Sequence, residues 1–191
     1  MNRQLIQLLV LGAILMVPAM AWSQTDPFGK VDTMYAELAK VDSGLWTITV
    51  AYTNDEPVVG LSVPLKYSAK DVRLIADSAI YAGGRVRAAN FSYLGFRVDT
   101  AIQCLTLGMI ANLGPTHNRL EPGSGRLVTI YLSSVDSKPV TKLAVDTTTT
   151  HPSNSLLVVT DSVIGTPPDT VKVEFNKRSV VPAFVVRQAK R

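Results

Sequence analysis

VGLSVPLKYSAKDVRLI, residues Val59 to Ile75, sets apolar Leu61, Val63, Leu65 and Tyr67 against polar or turn-forming Ser62, Pro64, Lys66 and Ser68. A period of two puts one kind of side chain on each face of a half-buried β-strand. Ser68-Ala69-Lys70-Asp71 breaks the pattern, and Val72, Leu74 and Ala76 restart it. The unit is strand, tight corner, strand.

The same reading extends along the chain. Strands are expected at Met34–Val41, closed by Asp42-Ser43-Gly44, and at Leu45–Thr53, where Trp46, Ile48, Val50 and Tyr52 share a face. After Gly83-Gly84, Arg85–Phe96 reads as an irregular strand. Val98–Ile110 reads as one long central strand, because its Thr, Val and Ile content and lack of caps disfavour a helix. Ala111–Glu121 is loop, and Pro122-Gly123-Ser124-Gly125 is a turn introducing a strand over Arg126–Ser133. Short strands follow at Lys142–Val145, Leu156–Thr160 and Val171–Phe175. Val180–Val186 is an edge strand or a flexible end, since Pro182 disfavours a central strand. Short strands at such spacing predict an all-β, two-sheet sandwich.

The first residues read as an export signal. Arg3 is the positive n-region and Leu5–Val17 an apolar stretch too short to span a bilayer; Ala19-Met20-Ala21 suits cleavage after Ala21, with Ser23 the second choice. No cysteine follows the apolar stretch, so a lipid anchor is not expected, and no later apolar run is long enough to span. The 191-residue chain carries a formal charge of +4, which falls to +3 without Arg3. Its Lys and Arg residues are scattered apart from Arg187–Arg191, so nucleic acid is not an expected partner. Cys104 is the single cysteine, within an apolar strand, and reads as a small buried hydrophobe.

Four segments together resemble the cohesin family of bacterial extracellular modules. They are Gly60 opening a strand that ends in Leu65-Lys66-Tyr67, then Asp71-Val72-Arg73-Leu74, the apolar strand Ile102–Leu107, and Gly123-Ser124-Gly125-Arg126-Leu127-Val128-Thr129-Ile130. The resemblance covers roughly residues 33–176. It implies a jelly-roll of about nine strands over 33–176, after a signal peptide (1–21) and a short segment (22–32), with 177–191 as a basic tail or edge strand. It also implies non-catalytic attachment to a dockerin-like protein partner. The family's recognised sheet would here hold Lys66, Tyr93, Gln103 and Thr141.

Catalytic chemistry finds little support. His117 and His151 sit in loops without partners at metal-ligand spacing, and Gly123-Ser124-Gly125 lacks the spacing of a nucleophile elbow. Glu37, Glu56, Glu121 and Glu174 are expected as solvated surface, with nothing to pair them for glycoside hydrolysis. Asn54-Asp55-Glu56 has oxygens for calcium but not a calcium loop's spacing, so no metal and no cofactor are expected. Tyr81, Phe91 and Tyr93 form the alternative candidate site, an aromatic platform for polysaccharide. The expectations are therefore a secreted attachment module, or a carbohydrate-binding module, or a structural subunit donating its Val180–Val186 strand to a neighbour.

Overall fold

The computed structural model describes residues 26–147, 155–164, 168, 170–174 and 177–189. The export segment, His151 and Phe175 lie outside the described residues. The strands are β1 (Thr33–Lys40), β2 (Leu45–Asn54), β3 (Val58–Ala69), β4 (Leu74–Ile80), β5 (Tyr93–Asp99), β6 (Cys104–Ile110), β7 (Gly123–Ser134), β8 (Leu143–Thr147) and β9 (Leu157–Thr160). Four more follow: β10 (Val163–Ile164), β11 (Val171–Lys172), β12 (Ser179–Val180) and β13 (Ala183–Gln188), and the one α-helical turn among the described residues, α1, is Arg85–Ala88.

Two sheets make the sandwich. One has the order β13-β1-β2-β7-β4; the other runs β12-β9-β3-β6-β5, with β8 also pairing β3. The strands β10 and β11 form a separate two-stranded ribbon. The strand-corner-strand unit crosses between layers: β3 lies in the six-stranded sheet and β4 at the edge of the other. Alternation along each strand fills the space between layers. Trp46, Ile48, Val50 and Tyr52 of β2 face Leu61, Val63, Leu65 and Tyr67 of β3 in one core, together with Leu105, Leu107 and Met109 of β6.

Pro64 sits inside β3 without breaking it. On one side β3 pairs with β6 from Gly60 to Lys66; on the other, the pairing with β9 ends at Ser62 and that with β8 begins at Leu65. Pro64 falls in that gap, where no ladder needs its missing N–H.

Three expectations are corrected. Val98–Ile110 is a hairpin, not one strand. Asp99 Oδ1 accepts the amides of Ala101 (3.0 Å) and Ile102 (3.4 Å), and Gln103 takes φ +52°, so the chain reverses between β5 and β6. Arg85–Phe96 contains α1 before β5, with Val86 inserted fully into the core. A Cβ on Gly84 would strike the Leu127 carbonyl, so only glycine lets this turn lie so close to β7. Gly123-Ser124-Gly125 is the first part of β7, paired with Asn54, Thr53 and Tyr52 of β2, rather than a turn.

Residues 177–189 supply β12 to the six-stranded sheet and β13 to the other. Pro182 stands just before β13, which pairs parallel with β1 from Thr33↔Ala183 to Leu38↔Gln188.

Candidate functional site

The outer face of the six-stranded sheet is shaped by small residues. The β5–β6–β3 register sets Gly95 opposite Gly108 and Gly108 opposite Ser62. Tyr93, 47% exposed, folds its ring along this strip. A Cβ on Gly95 would overlap the ring, and one on Gly108 would lie 3.5 Å from Tyr93 Cε1. Tyr81 closes the strip from below, its hydroxyl donating to the Gly95 carbonyl at 2.8 Å.

Beside this strip the sheet surface dips into a groove of about 640 Å³. Gly60, Ser62, Gly108 and Ile110 line it from β3 and β6, and Leu157 and Val159 from β9. The loop bearing Thr116 and His117 forms one wall. Asn112 fixes that wall: its Oδ1 accepts from the Asn118 amide (2.7 Å) and the Thr116 hydroxyl (2.9 Å), and its Nδ2 donates to the Asn118 carbonyl (2.8 Å). A preformed concave face with an apolar floor and polar ends is suited to binding.

The residues expected to face a partner divide between two places. Lys66 is exposed opposite Cys104, whereas Tyr93 stands opposite Ile110, six positions along β6 and about 20 Å away. Thr141 is exposed just before β8, near the Lys66 end. Gln103 is also near, since its carbonyl accepts the Tyr67 amide at 3.0 Å. Its side chain is engaged internally: Oε1 accepts the Leu74 amide at 2.9 Å. The aromatic platform does not form. Phe91 is 5% exposed, in the core, because the α1 turn that inserts Val86 also turns Phe91 inward. Tyr81 is half-buried and spends its hydroxyl on the backbone. Cys104 is buried, its thiol donating to the Ile102 carbonyl at 3.6 Å.

A second constellation lies at the end of the β1–β2 hairpin. Glu56, expected on the surface, is 3% exposed. It joins Asp26, Asp32 and Asp55, each offering an oxygen within 4.8 Å of the others. Tyr52 donates its hydroxyl to Asp32 Oδ2, and burial reinforced by that carboxylate pushes the phenol's pKa upward. Burial, with the neighbouring acids, lifts Glu56 to about 9; burial chiefly lifts Asp32 to about 6. Arg85, from α1, borders this end. Its Nη1 donates to the Tyr52 carbonyl (3.0 Å), Asn54 Oδ1 (2.9 Å) and the Gly123 carbonyl (3.1 Å), and its Nη2 to the Glu121 carbonyl (2.6 Å).

No protein-family model matches the sequence, and no curated protein matches it. Solved structures do. A chain of the Coh-OlpC–Doc435 type I cohesin–dockerin complex from Clostridium thermocellum is 7% identical, with a TM-score of 0.53, covering 86% of this chain and 99% of that one. A chain of the Coh-OlpA–Doc918 complex from the same organism gives 13% identity and a TM-score of 0.52 over 84% and 100%. The seventh ScaB type I cohesin of Pseudobacteroides cellulosolvens gives 12% and 0.51 over 84% and 94%. With such low identity the likeness is one of backbone, and in backbone this chain has the cohesin fold.

Proposed function

We propose that this protein is an exported, non-catalytic attachment module. The outer face of its six-stranded sheet binds a protein partner of the dockerin kind. The observation that carries this reading is the face itself: a strip of small residues, Gly95, Gly108 and Ser62, with the exposed Tyr93 ring lying along it and a groove that begins at Gly108 and Ser62. Aromatic anchors beside a preformed depression are the usual centre of protein–protein contacts. The solved relatives in cohesin–dockerin complexes support the choice of partner class. Export rests on the N-terminal segment, and among the described residues no helix is long and apolar enough to cross a membrane.

The test is calorimetric titration of a purified type I dockerin module into the protein. Saturable binding is expected, weakened at least tenfold by Tyr93→Ala or by Ser62→Arg, which fills the groove. Tyr131→Ala, on the exposed face of the other sheet, is expected to leave it unchanged. Absence of binding, or equal weakening by all three variants, overturns the reading.

A further inference from the structure

We propose that Asp26, Asp32, Asp55 and Glu56 form a calcium site that fastens the segment before β1 to the corner between β2 and β3. This inference stands apart from the docking reading.

The cluster is built by the hairpin. Thr33 pairs with Thr53, so the residues leading into β1 must lie beside those leaving β2. Asn54 fixes the corner by donating Nδ2 to the Glu56 carbonyl at 2.7 Å. On the other segment, Asp26 Oδ1 accepts the Phe28 amide at 2.8 Å, and Asp55 Oδ2 reaches across to accept the Lys30 amide at 2.8 Å. Gly29 makes that reach possible, since a Cβ there would collide with the Asp55 carboxylate.

These contacts leave four oxygens without an amide, hydroxyl or cationic donor. Asp26 Oδ2, Asp32 Oδ1 and both oxygens of Glu56 are buried, in residues 8%, 2% and 3% exposed, and Glu56 is set against the carboxylates of Asp32 and Asp55. Among the described residues no Lys or Arg forms an ion pair with any of the four acids. The nearby Arg85 gives its Nη1 and Nη2 donors to carbonyl oxygens instead. Buried, unpaired carboxylates are strongly unfavourable, and a set converging on one point requires protons or a cation.

The spacing admits a cation. Oxygens that share a calcium ion, each about 2.4 Å from it, can lie no more than about 4.8 Å apart, and each of the four acids offers an oxygen within that limit of the others. An all-carboxylate set without imidazole or thiolate excludes a zinc-type preference. Magnesium, which keeps several of its waters, fits a dry four-carboxylate cluster poorly. Calcium would bridge the Asp26–Asp32 segment to Asp55 and Glu56, beside the Asp32 carbonyl that accepts the Ala183 amide at the start of β13 (2.8 Å).

The experiment titrates calcium chloride into the full chain after chelator treatment, with magnesium chloride in parallel, and records melting temperature. One calcium per chain is expected. The expected rise in melting temperature is about 5 °C at about 5 mM calcium, the scale for an extracellular-type site, with little response to magnesium. Glu56→Gln and Asp55→Asn keep the shapes and remove charge, so each is expected to stay folded in chelator and to weaken calcium binding at least tenfold. No calcium response in the unaltered chain overturns the proposal and leaves shared protons as what holds the acids together. An undiminished response in the double variant also overturns it, by placing the ion elsewhere.

Discussion

Gln103 Oε1 accepts the backbone amide of Leu74 at 2.9 Å, so the β5–β6 turn of one sheet holds the first residue of β4 in the other. Gln103 achieves this from the left-handed region, at φ +52°. Gln103→Ala leaves the Leu74 amide without its acceptor and is expected to lower stability by about 1–2 kcal/mol in a urea titration. If the attachment reading holds, its effect on dockerin binding should be smaller than that of Tyr93→Ala, because the Gln103 side chain is committed inside the protein.

Arg85 ties the end of β2 to the beginning of β7 by a fork of bonds to Tyr52, Asn54, Glu121 and Gly123. Arg85→Ala should cost about 2–3 kcal/mol by chemical denaturation. Arg85→Lys should restore less than half, because a single ammonium cannot reproduce a planar fork.

The Tyr93 ring covers Gly95 and Gly108, where neighbouring strands otherwise present bare backbone. Tyr93→Ala should therefore cost about 0.5–1 kcal/mol of stability. Tyr93→Phe should retain it, since the ring supplies the cover.

The acidic cluster gives a pH dependence when chelator is present. The folded chain holds Glu56 at about 9 and Asp32 at about 6, against 4.5 and 3.8 for the free side chains. Between those limits the native state keeps protons that the unfolded state has released. Stability from this source is thus fully present at low pH and lost as pH rises through the folded values. Melting temperature in chelator is expected to be higher at about pH 5.5 than at about pH 8.5, with a flatter profile for Glu56→Gln.

Much of the sandwich could be read from alternation, because burial on one face writes itself into a strand as a period of two. The positions of Trp46, Ile48, Val50, Tyr52, Leu61, Val63 and Leu65 follow directly, and all are buried. The β5–β6 turn was hidden because Ala101 and Ile102 continue the apolar run, while the reversal is made by the Asp99 side chain and a left-handed Gln103. Phe91 was misplaced because a single helical turn has no periodicity to detect. The acidic cluster had a visible half, Asn54-Asp55-Glu56. The other half, Asp26 and Asp32, becomes its neighbour only once β1 and β2 are paired, and a linear reading does not pair them.

The parallel pairing of β13 with β1 fixes how the protein meets a pull. The chain enters β1 at Thr33 and leaves β13 at Gln188, opposite ends of one six-pair ladder. A load drawn between the two ends slides these strands past each other and stresses every rung together. An antiparallel closing strand would have let them open one rung at a time. The closing strand is thus the point at which the chain resists extension.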